Sequence, residues 1–297
     1  MKSILIIGST GMLGYGVLSS LIKYKNFKIS ATIRTKKKLR EIKKKNPYNK
    51  IKKFYFLDVK KVKQASLNKL ISNYDYVVNC VGIIKPEINI LNSQSLKNAI
   101  YVNSIFPKML ALSNKDKKKK IFQIATDCVF SGKKGKYNEN SSHDDLEIYG
   151  LSKSLGEIRS KNFYNIRTSI IGKELFTKKS LLEWFINNND LSMNGFVNHN
   201  WNGVTTEAFG EAIYSIIHHN LVIPNNLHLI PKDQVTKYQL LELFKQRFKL
   251  KVKINKYTAK QKIDRTLSTN NMKIVNKIWK FTKFRKKPSI KEMIKLI

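Results

Sequence analysis

Apolar residues fall along this chain in two alternating rhythms. Ser3 to Ile7 is a near-continuous apolar run closed by Gly8, the pattern of a strand buried on both faces. Val17, Leu18, Leu21 and Ile22 then recur at helical spacing. Strand-like runs return at Phe27 to Ile33, at Phe54 to Leu57, at Tyr76 to Val81, at Ile121 to Ala125 and at Tyr164 to Ile171, where Gly172 stops the last. Residues 92 to 113 put Ala99, Val102, Phe106, Met109 and Leu110 on one helical stripe, and a further helix is expected from about Glu147 to Ser160. Strands alternating with helices at this spacing predict βαβ units, hence an α/β fold with a Rossmann-type, doubly wound parallel sheet.

After Gly172 the rhythm loosens. Leu181 to Ile186 reads as helix, residues 187 to 203, rich in Asn and Gly, as loop, and Glu207 to His219 as helix. Leu227 to Ile230 is a short strand ahead of Pro231, and Lys237 to Phe248 is a helix. The expected division is a nucleotide-binding domain over 1–172 that also carries the catalytic residues, and a smaller C-terminal substrate-binding α/β subdomain mainly over 173–297. The helix at about 207–219 is expected to return to the first domain.

Composition narrows the function classes. The chain has 297 residues and a formal charge of +37, but only 7 of its 57 basic residues are Arg. Sequence-reading of nucleic acid leans on Arg for bidentate contacts, so the Lys runs (Lys36 to Lys38, Lys43 to Lys45, Lys117 to Lys120) read as solvated surface. No specific nucleic-acid partner is expected, though the charge should steer anionic ligands inward. The two cysteines, Cys80 and Cys128, have no metal-ligand or disulfide spacing; no metal is expected, and free thiols fit a reducing cytoplasm. The apolar run Ile4 to Ile7 is too short for a signal peptide, and no run approaches a membrane span.

Two motifs carry chemistry. Gly8, Gly11 and Gly14 form G-x-x-G-x-x-G between a strand and a helix. That context suits a dinucleotide, because glycine admits positive φ and close backbone approach while the helix start faces the pyrophosphate. Thr10, Met12 and Leu13 complete the turn. The second strand ends at Arg34 where an acid would favour NAD; with Lys36 to Lys38 nearby, Arg34 instead suits a 2′-phosphate, hence NADPH. Asp58 and Val59 after the third strand, and Cys80, Val81 and Gly82 after the fourth, are expected along the cofactor.

Ketone reduction needs a hydride donor, a polarising group and a proton donor. Tyr149 and Lys153, four apart, share a helix face, where the cation is expected to lower the phenol pKa toward neutrality. Thr126, closing the fifth strand, can hydrogen-bond the same carbonyl oxygen. Asn103, mid-helix, can hold a water that relays protons to Lys153.

At these residues the chain resembles the extended short-chain dehydrogenases/reductases, and within them the dTDP-4-dehydrorhamnose reductase branch. The resemblance rests on GSTGMLG (8–14), YVNSIFPKMLA (101–111), ATDCVFSGKKGKYNEN (125–140), IYGLSKSLGE (148–157) and NIRTSIIG (165–172). It implies Thr126, Tyr149 and Lys153 as the catalytic triad, Asn103 as helper, and Tyr149 and Lys153 also on the cofactor. It implies a nucleotide-sugar substrate facing Cys128, Val129, Phe130, Asn200, Trp201 and Arg265, with Arg265 pairing the diphosphate or making a salt bridge on the surface. The implied activity is NADPH-dependent reduction of the 4-keto group of a nucleotide-linked 4-dehydro-6-deoxyhexose for surface polysaccharides, with a homodimer left open. The alternatives are a 4-epimerase or dehydratase of the same superfamily, or a non-catalytic regulatory subunit like the beta subunit of methionine adenosyltransferase. Cys128 departs from the aromatic residue many of these reductases carry.

Overall fold

The computed structural model describes residues 1–297 except 115, 117, 177 and 189–191, so the basic run at 117 to 120 begins outside the described residues. The first half alternates as its pattern predicts. β1 (Lys2–Ile7) leads through the glycine turn to α1 (Met12–Leu21), then come β2 (Phe27–Ile33), α2 (Lys36–Ile42), β3 (Lys53–Phe56), α3 (Gln64–Ile71) and β4 (Tyr76–Asn79). In β1, Ile4 and Ile6 join the apolar cluster on one face while Leu5 and Ile7 join the cluster on the other, as a period of two requires in a strand covered on both sides. The helices α2 and α3 were not foreseen: Lys36 to Arg40 is nearly all cation and shows no apolar stripe.

The long helical segment expected over 92 to 113 is interrupted. It runs as α4 (Ser93–Ile100), a π-helical turn (Tyr101–Ile105) and α5 (Phe106–Ser113). Pro107 sits in the first turn of α5, where its missing N–H costs nothing, and it is the sequence signal for this break. β5 (Lys120–Ala125) and α6 (Ile148–Leu155) follow. α6 stops at Leu155 rather than Ser160, with Gly156 as its C-cap; a Cβ there would stand 1.9 Å from the Asn103 carbonyl oxygen.

The predicted strand over 164 to 171 is two. β6 (Phe163–Arg167) stays in the main sheet, while β7 (Ile170–Ile171) pairs elsewhere, with Val204 and Thr205. Beyond α7 (Leu181–Asn187), the expected loop contains β8 (Ser192–Phe196) and β9 (His199–Trp201). β10 (Val204–Thr205) leads into α8 (Thr206–His218), followed by β11 (Asn226–His228), β12 (Val235–Thr236), α9 (Lys237–Phe248), β13 (Lys253–Tyr257), β14 (Ile263–Asp264), α10 (Met272–Lys280) and α11 (Ile290–Ile294). β8 and β9 find their partners in β13 and β14, about 60 residues on, so no local signal announces them.

The main sheet is parallel and seven-stranded, in the order β11-β6-β5-β4-β1-β2-β3. It is Rossmann-type and doubly wound. The order reverses between β1 and β4, which opens a crevice at their carboxyl ends. The chain returns late to this unit: β11 joins β6, and α8 lies on α1, where Ser20 Oγ donates to the Glu207 carbonyl at 2.8 Å. The segment after β14 reaches the chain that follows β5, where Arg265 Nε donates to the Phe130 carbonyl.

Candidate active site

β1 ends at Ile7 and the chain turns through Gly8 to Gly14. Gly8 has φ +80°, and a Cβ on Gly14 would lie 2.1 Å from the Gly8 carbonyl oxygen, so neither tolerates a side chain. Gly11 caps α1 without any side-chain bond, and no acid occupies the first turn, Met12, Leu13 and Gly14. Those N–H groups lack intrahelical acceptors and sit at the positive end of the helix dipole. The turn is pinned by residues the motif does not contain. Thr32 Oγ1 accepts from Gly8 N at 3.0 Å, its carbonyl accepts from Ser9 Oγ at 3.0 Å, and the Tyr48 hydroxyl donates to the Ser9 carbonyl at 2.7 Å. A Thr inside the apolar run of β2 was the only trace of this.

A cleft of about 240 Å³ is lined by Arg34, Asp58, Val59, Val81, Gly82 and Ile83 among others, and Val81 also borders Gly8. Arg34 is exposed at its edge beside Lys36 to Lys38 of α2. Asp58 Oδ1 accepts from Lys60 N at 3.1 Å and Val59 is buried. Cys80 turns its thiol into the protein; burial raises its pKa. A group with a pyrophosphate and an adenosine arm fits this combination of a backbone cradle and a cleft with a cationic rim.

Thr126 closes β5, and Tyr149 and Lys153 stand one turn apart on α6. Gly150 lets α6 approach: its Cβ would meet the Cys128 carbonyl at 2.4 Å. Thr126 Oγ1 accepts from Cys128 N at 3.2 Å and donates to Asp127 Oδ1 at 3.2 Å. The Tyr149 phenol is pushed above its ordinary value, first by burial and then by Cys128 and Asp127, while a hydrogen bond with Thr126 pulls it down. Lys153 is anchored to the strand beside it. Its buried Nζ donates to the Ile124 carbonyl at 2.9 Å. Burial lowers it to about 8, against the pull of Glu157.

Asn103 is held by three hydrogen bonds. Its Oδ1 accepts from Ile83 N at 2.9 Å, and its Nδ2 donates to the Ile83 carbonyl at 3.0 Å and to Ser152 Oγ at 3.1 Å. The side chain is therefore a clamp between the loop after β4 and α6. The π-helical turn aims it there, as such turns do at functional sites. Gly82 lies between: a Cβ there would be 3.5 Å from Asn103 Oδ1 and 3.8 Å from Lys153 Nζ.

The substrate-side residues divide. Cys128 is partly buried at the site, its thiol pushed up to about 12 by burial and by Asp127. Val129 and Phe130 are 1% and 0% exposed, so their side chains belong to the core and not to a ligand surface. Phe130 stacks on Tyr137 at 4.3 Å, and the Arg167 guanidinium lies 5.1 Å from its ring centre. Arg167, itself buried, bonds Glu157 and His228, and burial beside it holds His228 down at about 4. Asn200 Nδ2 donates to Asp264 Oδ2 at 2.7 Å and the Trp201 indole to Ser169 Oγ at 2.8 Å. Arg265 Nε donates to the Phe130 carbonyl at 2.6 Å, and its guanidinium reaches Asp145 at 3.9 Å. Asp127, which in sequence fills the slot of the carboxylate a dehydratase would want, is 7% exposed beside Thr126; sequence reasoning missed Lys237, whose charge acts on Asp127, Cys128 and Arg265.

Among the described residues no helix is long and apolar enough to cross a membrane, and no cluster of His, Cys, Asp or Glu could hold a metal.

Comparison with known proteins places the chain among relatives. The family model of the RmlD substrate binding domain matches residues 1–296. A dTDP-4-dehydrorhamnose reductase from Bacillus anthracis, solved in complex with NADP, superposes with a TM-score of 0.75 at 17% identity, covering 99% of this chain and 98% of that one. The Clostridium acetobutylicum dTDP-4-dehydrorhamnose reductase gives 0.72 at 20% identity, covering 99% and 97%. A UDP-glucuronic acid 4-epimerase from Bacillus cereus, in complex with NAD, gives 0.73 at 14% identity, covering 99% and 94%. Identities this low speak for the shared fold alone. A search of curated protein sequences returns no match.

Proposed function

The chain belongs to the RmlD substrate binding domain family, and we propose that it uses NADPH to reduce the 4-keto group of a nucleotide-linked 4-dehydro-6-deoxyhexose. The observation that carries this reading is the meeting of Thr126, Tyr149 and Lys153 at the carboxyl end of β5, next to Gly82 and the glycine turn. NADPH bound along Gly8 to Gly14 and the cleft supplies the hydride. The protein's own residues do the rest. The Thr126 hydroxyl hydrogen-bonds the keto oxygen and holds it at the phenol. Tyr149, kept protonated by its burial, gives its proton to that oxygen as the C4 carbon accepts hydride. Charged Lys153, one turn on, offsets the negative charge left on the phenolate. Asn103 keeps the loop after β4 in register with α6.

NADPH rather than NADH is supported by Arg34 and the lysines of α2 on the rim of the cleft. The division of labour that goes with this reading gives 1–172 to the cofactor and catalysis and 173–297 mainly to the substrate, with α8 and β11 returning to the first part. The chemistry suits the cytoplasm.

The test is NADPH oxidation against dTDP-, UDP- and GDP-linked 4-dehydro-6-deoxyhexoses. Net NADPH consumption with one of them is the expected result. Recycling of a tightly bound NAD without net consumption would replace the reductase by an epimerase or dehydratase. No turnover with any of them, together with a co-purifying enzyme partner, would leave a regulatory subunit.

A further inference from the structure

Lys237 opens α9 directly after the cap residue Thr236. The β12–β9 ladder pairs Thr236 with Asn200 and Val235 with Trp201, and the β9–β14 ladder pairs Asn200 with Asp264. This small sheet thus brings Lys237, Trp201 and Arg265 to one wall, and Arg265 ties that wall to the Phe130 carbonyl after β5. Lys237 Nζ lies 5.8 Å from the centre of the Trp201 ring. It makes no hydrogen bond and no ion pair with any described residue.

The contrast with Arg265 is direct. Arg265 is committed to Phe130 and Asp145, so it holds the wall together. Lys237 is half-buried without an acceptor, a costly state unless an anion completes it. Asp127 acts on it by charge alone; the hydrogen bonds that carboxylate accepts come from Thr126 and Cys128, both at Oδ1. The keto carbon sits at Thr126 and Tyr149 in the reading above. One pyranose ring separates it from the phosphate ester on C1, and Lys237 stands near enough to Cys128 and Asp127, beside Thr126, for their charges to act on it.

We propose that Lys237, not Arg265, binds the sugar-proximal phosphate of the nucleoside diphosphate, and so sets how deep the sugar reaches toward Thr126 and Tyr149. This rests on the nucleotide-sugar reading and names the residue that recognises the anion within it. Burial lowers Lys237 from its ordinary value, while Asp127 and Cys128 pull it up and Arg265 pushes it down; a bound phosphate would add to the upward pull.

The test is calorimetric titration of NADP-loaded protein with dTDP, UDP and GDP and with the matching monophosphates, which lack the second phosphate. The wild type should bind at least one diphosphate more tightly than its monophosphate. Lys237→Gln should weaken that diphosphate about ten- to a hundredfold, the scale of one charge-assisted hydrogen bond, and leave the monophosphate and NADPH unchanged. Retained NADPH binding reports an intact fold, Lys237→Met repeats the test without a new polar group, and Lys237→Arg should restore the affinity. Unchanged diphosphate binding in both Gln and Met variants, or equal loss for mono- and diphosphate, overturns the assignment and leaves the nucleotide-sugar reading standing. A wild type that binds none of the three diphosphates overturns that reading, and the assignment with it.

Discussion

The proposed cofactor end and the proposed substrate end of this site are built on opposite principles. The cofactor end is backbone: a turn of seven residues with its shape set by Gly8 and Gly14, tied to the neighbouring strand through Thr32, 24 positions away. The substrate end is side chains meeting across the chain. Arg265 reaches the Phe130 carbonyl over 135 positions, Thr269 and Lys136 bind Glu139 and Thr266 over 130, and Asn202 Nδ2 donates to the Leu267 carbonyl over 65. A backbone cradle recognises what many ligands share, a pyrophosphate. A wall assembled from distant segments can change one segment at a time, which is how one fold comes to serve different sugars.

That contrast can be broken or sharpened by substitution. Tyr149→Phe, at the seam of the two ends, should lower kcat by about 10²–10⁴-fold, the usual worth of a positioned proton donor; NADPH titration should show no change in affinity. A variant that keeps its rate removes Tyr149 from the mechanism. Gly14→Ala places a Cβ 2.1 Å from the Gly8 carbonyl oxygen. It should cost NADPH affinity on the order of a hundredfold, roughly 3 kcal/mol of displaced backbone, with nucleoside diphosphate binding intact if the ends are independent. Arg34→Asp should move NADPH-over-NADH selectivity by about tenfold or more toward NADH, a charge-assisted contact being worth that much; the ratio of kcat/KM values measures it. Arg265→Ala loosens the wall and should raise the sugar-nucleotide KM by about tenfold without touching the KM for NADPH. Parallel rises in both constants would mean that the ends are coupled.

The smallest effect is graded with pH. Lys153 is depressed from 10.5 to about 8 in the fold, so its charge is lost as pH rises through about 8 and kcat should fall there. Stability should move the other way. Between about pH 8 and 10.5 the unfolded chain holds the proton that folded Lys153 has released, and stability rises with pH in that window. A kcat profile flat through pH 8, read beside melting temperatures, would show that Lys153 keeps its proton when the cofactor is bound.

The alternation of β1 to β6 was legible because each strand is covered on both faces and its apolar run is unbroken. The glycine turn, Thr126 and the Tyr149–Lys153 pair were legible because their chemistry is local. β8 and β9 were not, since their partners lie about 60 residues away and their own sequence, Ser192–Phe196 and His199–Trp201, has no strand pattern. Val129 and Phe130 looked like substrate contacts by their place after Asp127, but Tyr137 and Arg167 close over Phe130 from elsewhere. Lys237 was hidden among 50 lysines; only its position over Trp201 distinguishes it.

By itself, then, the sequence determined the layered parallel sheet, the glycine turn between β1 and α1 and the placing of Tyr149 and Lys153 one turn apart on a helix, because periodicity, glycine conformations and i,i+4 spacing act over a few residues. Tertiary structure alone decided that Asn103 is a clamp, that Lys153 bonds the Ile124 carbonyl, that Arg265 is tied down and that Lys237 is not. Those outcomes depend on which buried polar group finds which partner, and burial is a property of the assembled molecule.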